Sequence, residues 1–305
     1  MASRQEKNQI KQEKIDQEEK NTKNKKRVIL VVKILFLIAV IFFGAYFYTK
    51  YSSTTGIIVK EERIINKKIP DSFEGIKIIQ FSDLYYGSTI FSEEVDKIIK
   101  IINVRKPDII LFSGNLIDPN YKISTKEKNK LIESLQKLNA NIGKYAVSGN
   151  KDNEEFNAIM NQSDFNILDN NYDLIYSNDN SSILLVGLSS LVNEKRDVDK
   201  AYSYFKEETH NSNIYTVSLM SETDDLDNIL STYNTDLVLA GNSLNGQINL
   251  FGHSLISKEG SKKYTEKYYK INNTKLYVSS GIGSPDLGIR LFARPSINFF
   301  RISNK

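Results

Sequence analysis

The chain has 305 residues, 40% of them apolar and 26% charged, with a net charge of +4. That length accommodates one sizeable domain plus an appendage, and so small a net charge gives no basis for nucleic-acid binding. Cysteine is absent, which excludes a disulfide framework, a thiolate zinc site and a cysteine nucleophile, and His210 and His253 are the whole imidazole supply.

Residues 1–27 are mostly Lys, Glu, Gln, Asn and Asp. Such a segment cannot bury a core and is expected to be a disordered cytoplasmic tail, with a fluctuating helix as the alternative. Residues 28–48 read VILVVKILFLIAVIFFGAYFY, about the length that crosses a hydrocarbon core as a helix. Lys33 is the single charge and lies near one end, where its stem can snorkel to the headgroups. Tyr46, Phe47, Tyr48 and Tyr51 mark the other end, as an interfacial aromatic belt would. A cleaved signal peptide needs a small-residue cleavage site, and FGAYFYTKYSS offers no good one. A buried core helix needs a polar face or a surrounding core, and this run has no polar face. The reading is an uncleaved anchor. Lys20, Lys23, Lys25, Lys26 and Arg27 crowd its N-terminal side, so the N-terminus is expected in the cytoplasm and the rest outside it. The same cluster reads as a topology signal, with contact to anionic lipid as the alternative.

After a linker at 49–55, residues 56–305 alternate short apolar strands with helical patterns. Strands are expected at 76–81, 108–112, 144–147, 183–186, 214–217, 237–240 and 276–278. Ser92 can cap a helix with Glu93 and Glu94 in its first turn and Val95, Ile98, Ile99 and Ile102 at helical spacing. Leu131, Leu135 and Leu138 mark another. The pattern predicts one domain of mixed α and β structure.

Polar turns follow several of these strands: Ser82-Asp83, Ser113-Gly114-Asn115, Ser148-Gly149-Asn150-Lys151-Asp152, and Gly241 to Gln247. Singly, each is a turn built from turn-forming residues. Together, at the carboxyl ends of strands in an α/β sheet, they would meet along the edge where ligands bind.

In order and spacing these turns resemble the signature blocks of the calcineurin-like metallophosphoesterases, in particular a membrane-anchored bacterial branch. Phe81 to Gly87 (FSDLYYG) is similar to ISDLHLG, Ser113 to Asp118 (SGNLID) to TGDLVD, and Gly149 to Asp152 (GNKD) to GNHD. Val217 to Glu222 (VSLMSE) is set against LSHNPD, and Leu239 to Gln247 (LAGNSLNGQ) against LAGHTHGGQ. A C-terminal block, Tyr277 to Gly283 followed by Arg290 to Pro295, is also similar. The resemblance covers roughly 56–305 and implies a four-layer αββα sandwich behind the transmembrane helix.

It also implies a chemistry this sequence departs from. The family's site holds two divalent ions through carboxylates and imidazoles, and a histidine of the third block assists catalysis. Asp83 and Asn150 keep the family's ligand types. Asn115 replaces the bridging aspartate, Asn242 a histidine, and Tyr85, Leu219 and Leu244 three further ligands. Lys151 replaces the catalytic histidine. Removing the bridging charge leaves one carboxylate for two dications, so no cofactor is expected, and the Lys151 ammonium is expected to pair with Asp83. The alternative is a divalent ion (manganese, magnesium, calcium or zinc) on oxygens of Asp83, Asn115, Asn150 and Asn242. The function expected is that of an extracytoplasmic pseudophosphoesterase, anchored in the membrane through 28–48 and binding a protein or an anionic ligand. Lys151, Arg290 and Arg294 are the candidates to hold an anion. The competing readings are a metal-dependent phosphoric ester hydrolase acting on lipid or nucleotide esters, and a purely structural membrane protein.

Overall fold

The computed structural model describes residues 4–52, 56–193, 196–207, 210–250, 253–285 and 288–305. Residues 53–55 of the expected linker lie outside that set. The chain divides into two compact units, Met1–Tyr48 and Thr49–Lys305.

The first unit is one helix, α1 (Arg4–Phe47), which runs unbroken through both the charged tail and the apolar run. From Arg4 onward the tail takes the helical form that was the alternative to disorder. It is dominated by Lys, Glu and Gln, which lose little side-chain freedom in a helix. The helix is long and apolar enough to cross a membrane.

The second unit contains, in chain order, β1 (Ile58–Ile65), β2 (Lys77–Phe81), α2 (Ser92–Asn103), β3 (Ile109–Ser113), α3 (Thr125–Gln136), β4 (Gly143–Val147), α4 (Glu154–Gln162), β5 (Asn166–Ile167), β6 (Asn171–Tyr176), β7 (Ser182–Gly187), α5 (Val198–Ala201), β8 (Thr216–Met220), α6 (Leu226–Thr232), β9 (Leu237–Ala240), β10 (Asn249–Leu250), β11 (His253–Ser254), β12 (Tyr268–Ile271), β13 (Thr274–Val278) and β14 (Ser296–Ser303). One six-stranded sheet has the order β1-β14-β2-β3-β4-β5 and the other β12-β13-β9-β8-β7-β6. β2 to β5 run parallel, as do β7, β8, β9 and β13, while β14, β12 and β6 join antiparallel neighbours.

Three buried clusters give the layering. Ile78, Leu111, Val147 and Phe300 of the first sheet pack against Leu185, Val217, Leu219 and Leu239 of the second. The opposite face of the first sheet is covered by Val95, Ile98, Leu131, Leu135 and Phe156 from α2, α3 and α4. The outer face of the second meets Ala201, Leu226 and Ile229. The architecture is therefore the expected α-β-β-α sandwich. The central strands are apolar on both faces because both faces are covered. Ser92, expected at the cap of α2, is instead its first helical residue; Phe91 occupies the cap, where its N–H donates to Glu94 Oε2 at 3.2 Å. α3 is capped conventionally, with Glu127 N donating to Ser124 Oγ and Ser124 N to Glu127 Oε2.

Candidate functional site

The turns after β2, β3, β4, β8, β9 and β13 converge at one edge, drawing on both sheets. Backbone approach there is very close. A Cβ placed on Gly114 would lie 2.5 Å from Gly149 N, so the turns after β3 and β4 touch main chain to main chain. Gln80 ties the sheets together beneath them, its Nε2 donating to Ala240 O at 2.8 Å and Ser113 Oγ at 3.1 Å.

Asp83 lies at the centre, fully buried. Its Oδ2 accepts from Ser82 Oγ at 2.6 Å and Asn242 N at 3.0 Å, and its Oδ1 from Asn115 Nδ2 at 2.8 Å. The orientation of the Asn115 amide is fixed independently, because its Oδ1 accepts from Lys151 N at 2.9 Å. Its NH₂ must therefore face Asp83, and it also approaches Asn242 Oδ1 at 3.4 Å. The Asn242 amide donates onward to Glu259 O at 2.8 Å and Ser261 Oγ at 3.0 Å. Burial pushes the Asp83 carboxyl upward, against the opposing pull of its three hydrogen bonds and the nearby Arg290 charge.

Asn150 is buried, and its Oδ1 has no hydrogen-bond partner. Its backbone is anchored on a carboxylate that sequence reasoning gave no role: Asn150 N donates to Glu222 Oε1 at 2.7 Å. Glu222 Oε2 in turn accepts from Leu191 N at 3.0 Å and Arg196 Nη2 at 3.4 Å. Asp152, whose Oδ1 accepts from Leu116 N and Oδ2 from Gly149 N, staples the third turn to the second. Burial pushes its carboxyl up to about 8.

The remaining expected residues separate into those at the site and those away from it. Tyr85 and Leu244 are buried there, and both are held at positive φ, as are Asp83 and Asn242. Leu244 Cδ2 and Asp83 Cβ converge on Gly281, whose lack of a Cβ leaves room for both. Leu219 is not at the site; it packs between the sheets with Leu185 and Leu239. Strand β8 runs three residues beyond the apolar run expected at 214–217, so Ser221 reaches the edge instead. A Cβ on Gly149 would meet Ser221 Oγ at 2.7 Å. The LSHNPD comparison therefore moves two residues along, to Leu219-Met220-Ser221-Glu222-Thr223-Asp224, with Ser221 at the histidine.

Lys151 is exposed and forms no ion pair with Asp83, whose oxygens are filled by the three donors above. Arg290 is fully buried and spends its guanidinium on Ser284 Oγ, Ser280 O, Ala293 O and Gly283 O, so it braces the C-terminal turn and presents no fork to a ligand. Burial lowers it to about 10 against the attraction of Asp83. Arg294 is exposed. Lys151 and Lys258 instead line a cavity of about 220 Å³ together with Tyr85, Asp118, Asn150 and Asn242. His210 stacks on Tyr204, and its Nε2 lies 3.1 Å from Glu207, away from this edge.

The calcineurin-like phosphoesterase family model matches residues 76–280, more than half of the chain. The chain belongs to that family. It is 31% identical to an uncharacterised metallophosphoesterase, YkuE, of Bacillus subtilis (strain 168), over 86% of this chain and 91% of that protein. It is 28% identical to an uncharacterised metallophosphoesterase of Helicobacter pylori (strain J99), over 75% of this chain and 60% of that one. A transmembrane protein with a metallophosphoesterase domain from Danio rerio is 22% identical, over 76% of this chain and 54% of its own length. Among solved structures, the calcineurin-like phosphoesterase YfkN of Bacillus subtilis aligns at a TM-score of 0.40 and 12% identity, covering 68% of this chain and 82% of that one.

Proposed function

We propose that the protein is a membrane-anchored, extracytoplasmic pseudophosphoesterase that acts by binding at the site cavity. The observation that carries this reading is the Asn115 amide, whose NH₂ donates to Asp83 at 2.8 Å and faces Asn242 Oδ1 at 3.4 Å. In a metal centre those oxygens would face a cation and a bridging carboxylate would join two ions. Here a neutral donor already satisfies them. The residues present do not fit two divalent ions: Asp83 is the one carboxylate at the ligand positions, Leu244 has no donor atom, and Ser221 offers a neutral hydroxyl. Among the described residues, no three His, Cys, Asp or Glu side chains are grouped to hold an ion.

The cavity supplies the binding surface. Lys151 and Lys258 bring positive charge to it, and Asn150 Oδ1 lines it as a buried acceptor without a partner. A ligand with an anionic group and a hydroxyl or N–H donor matches that lining. The anchor and its orientation rest on the apolar 28–48 run and the basic cluster before it. The Danio rerio relative's name joins the same two parts, a transmembrane protein and a metallophosphoesterase domain.

One observation favours a hydrolase instead: Asn150 Oδ1 is a family-type ligand atom left open. The metal content of the full-length protein, purified in detergent, incubated with manganese and desalted, separates the two readings. The expected result is no bound manganese in the parent or in the Lys151→His variant. Two equivalents in the parent would establish the hydrolase reading, and uptake by Lys151→His alone would overturn the account of the ligand losses.

A further inference from the structure

The lining of the site cavity carries both signs of charge. Lys151 and Lys258 bring cations to it, and Asp118 and Glu259 bring carboxylates, so among the described residues the lining has no net charge. A simple anion matches only the first pair. The groups also differ in depth. Asp118 is 6% exposed, whereas Lys151 and Glu259 are exposed and Lys258 is half-buried.

Asp118 is held in place by its own turn. Its Oδ1 accepts from Asn120 N at 2.8 Å, and its N donates to Tyr86 O at 3.0 Å, which ties it to the turn after β2. Among the described residues no hydrogen bond or ion pair reaches its Oδ2, so neither lysine of the lining serves it. A buried carboxylate oxygen without a donor is costly. Asn150, 5% exposed, adds an amide whose Oδ1 is likewise without a partner. An amide can be turned end for end, but a carboxylate accepts through either oxygen. Asp118 therefore fixes what a ligand must bring to the buried end: a donor, and a charged donor makes the stronger bond. The cavity, at about 220 Å³, is smaller than the roughly 300–1,000 Å³ of sites for drug-sized ligands, so the ligand is of amino-acid size.

From this juxtaposition we infer that the cavity takes a small zwitterion, with its ammonium on Asp118 and Asn150 and its carboxylate or phosphate on Lys151 and Lys258. The inference rests on the reading of this cavity as a binding site and names its ligand class. Glu259, on the exposed side of the lining, disfavours a ligand that carries anionic charge alone.

The full-length protein, purified in detergent, would be titrated calorimetrically with β-alanine, γ-aminobutyrate and O-phosphoethanolamine, and with the halves ethylamine, propionate and inorganic phosphate. The expected result is that at least one zwitterion binds about tenfold or more tighter than either of its halves. Asp118→Asn keeps an oxygen for Asn120 N while removing the charge, and should weaken that zwitterion by a similar factor. Lys151→Gln should weaken the zwitterion and leave ethylamine unchanged; Lys151 is exposed, so this variant decides the matter should Asp118→Asn lose the parent's circular dichroism spectrum. Propionate or inorganic phosphate binding as tightly as the zwitterions, and lost in Lys151→Gln, would overturn the inference and leave a cavity that binds anions. Absence of binding by all three zwitterions would overturn it as well. Release of phosphate from O-phosphoethanolamine in the presence of manganese would instead overturn the reading on which the inference rests.

Discussion

Replacing Asn115 by aspartate returns a charge that the site is built without. The Asn115 amide nitrogen stands 2.8 Å from Asp83 Oδ1, and both residues are fully buried. A carboxylate oxygen in its place would face another at about that separation. At an effective dielectric of about 20, two unit charges 2.8 Å apart repel by about 6 kcal/mol. The pair can escape by sharing a proton. Holding one on a carboxyl of ordinary acidity costs about 5–6 kcal/mol at pH 8 but only about 1.5 kcal/mol at pH 5. The two routes thus give a similar ceiling at pH 8. A group whose folded pKa is raised contributes stability at low pH that is lost as pH rises through the folded value, so the variant's deficit grows with pH. In melting temperature it amounts to on the order of 10–20 °C at pH 8 and a few degrees at pH 5. A divalent cation offers a second escape. Millimolar manganese should therefore raise the melting temperature of Asn115→Asp at pH 8 and leave the parent unchanged. Thermal denaturation of both proteins at the two pH values, with manganese or with a chelator, makes the comparison. An unaltered melting temperature for Asn115→Asp at pH 8, or a parent stabilised by manganese, would refute the view that the amide stands in for a cation.

Two further predictions concern cations near the same edge, the half-buried Lys60 and the fully buried Arg290. Burial, with Lys267 and Arg290 close by, lowers the Lys60 ammonium to about 7, while its Nζ donates to Ser280 Oγ at 2.9 Å. A depressed folded pKa contributes stability present above about 10.5 and lost as pH falls through about 7. Compared with Lys60→Met, the parent should therefore gain stability as pH rises from 6 to 9, and Lys60→Met should be the more stable of the two at pH 6, as read by urea denaturation. Arg290→Lys keeps the charge but cannot reproduce a guanidinium fork bonded to four oxygens; it should cost about 3–5 kcal/mol in the same assay, and a loss under 1 kcal/mol would show that the fork is dispensable.

The layered fold was legible because its signals are local. Apolar runs bounded by Gly, Asn and Asp marked β2, β3, β4, β7 and β9, and Val95 to Ile102 marked α2. β1 escaped because its sequence, IVKEERII, is that of an edge strand with its charges in water. The register of β8 escaped for the opposite reason. Both its faces are buried, so TVSLM shows no alternation from which to tell Leu219, between the sheets, from a residue facing the site. The role of Glu222 was illegible because it satisfies the backbone N–H groups of Asn150 and Leu191, distant in sequence, and that of Arg290 because the carbonyls of its own turn take its donors. An arginine after a glycine-rich turn reads as an anion binder, yet the carbonyls of Ser280, Gly283 and Ala293 take its donors first.

The backbone of the site bears on what has been retained. Asp83, Tyr85, Asn242 and Leu244 sit at φ values of 53°, 44°, 60° and 54°. For tyrosine and leucine that conformation costs of order 1–3 kcal/mol each. Strain of this kind persists only where the surroundings over-determine it. Here the determinants are main-chain bonds between turns: Asp83 N to Gly114 O, Tyr85 N to Asn115 O and Gly283 N to Asp83 O. These bonds need no metal ion, so the turns hold their shape through main chain alone. They leave a closely packed edge around a small cavity, and a fixed backbone of this kind is what a binding site requires.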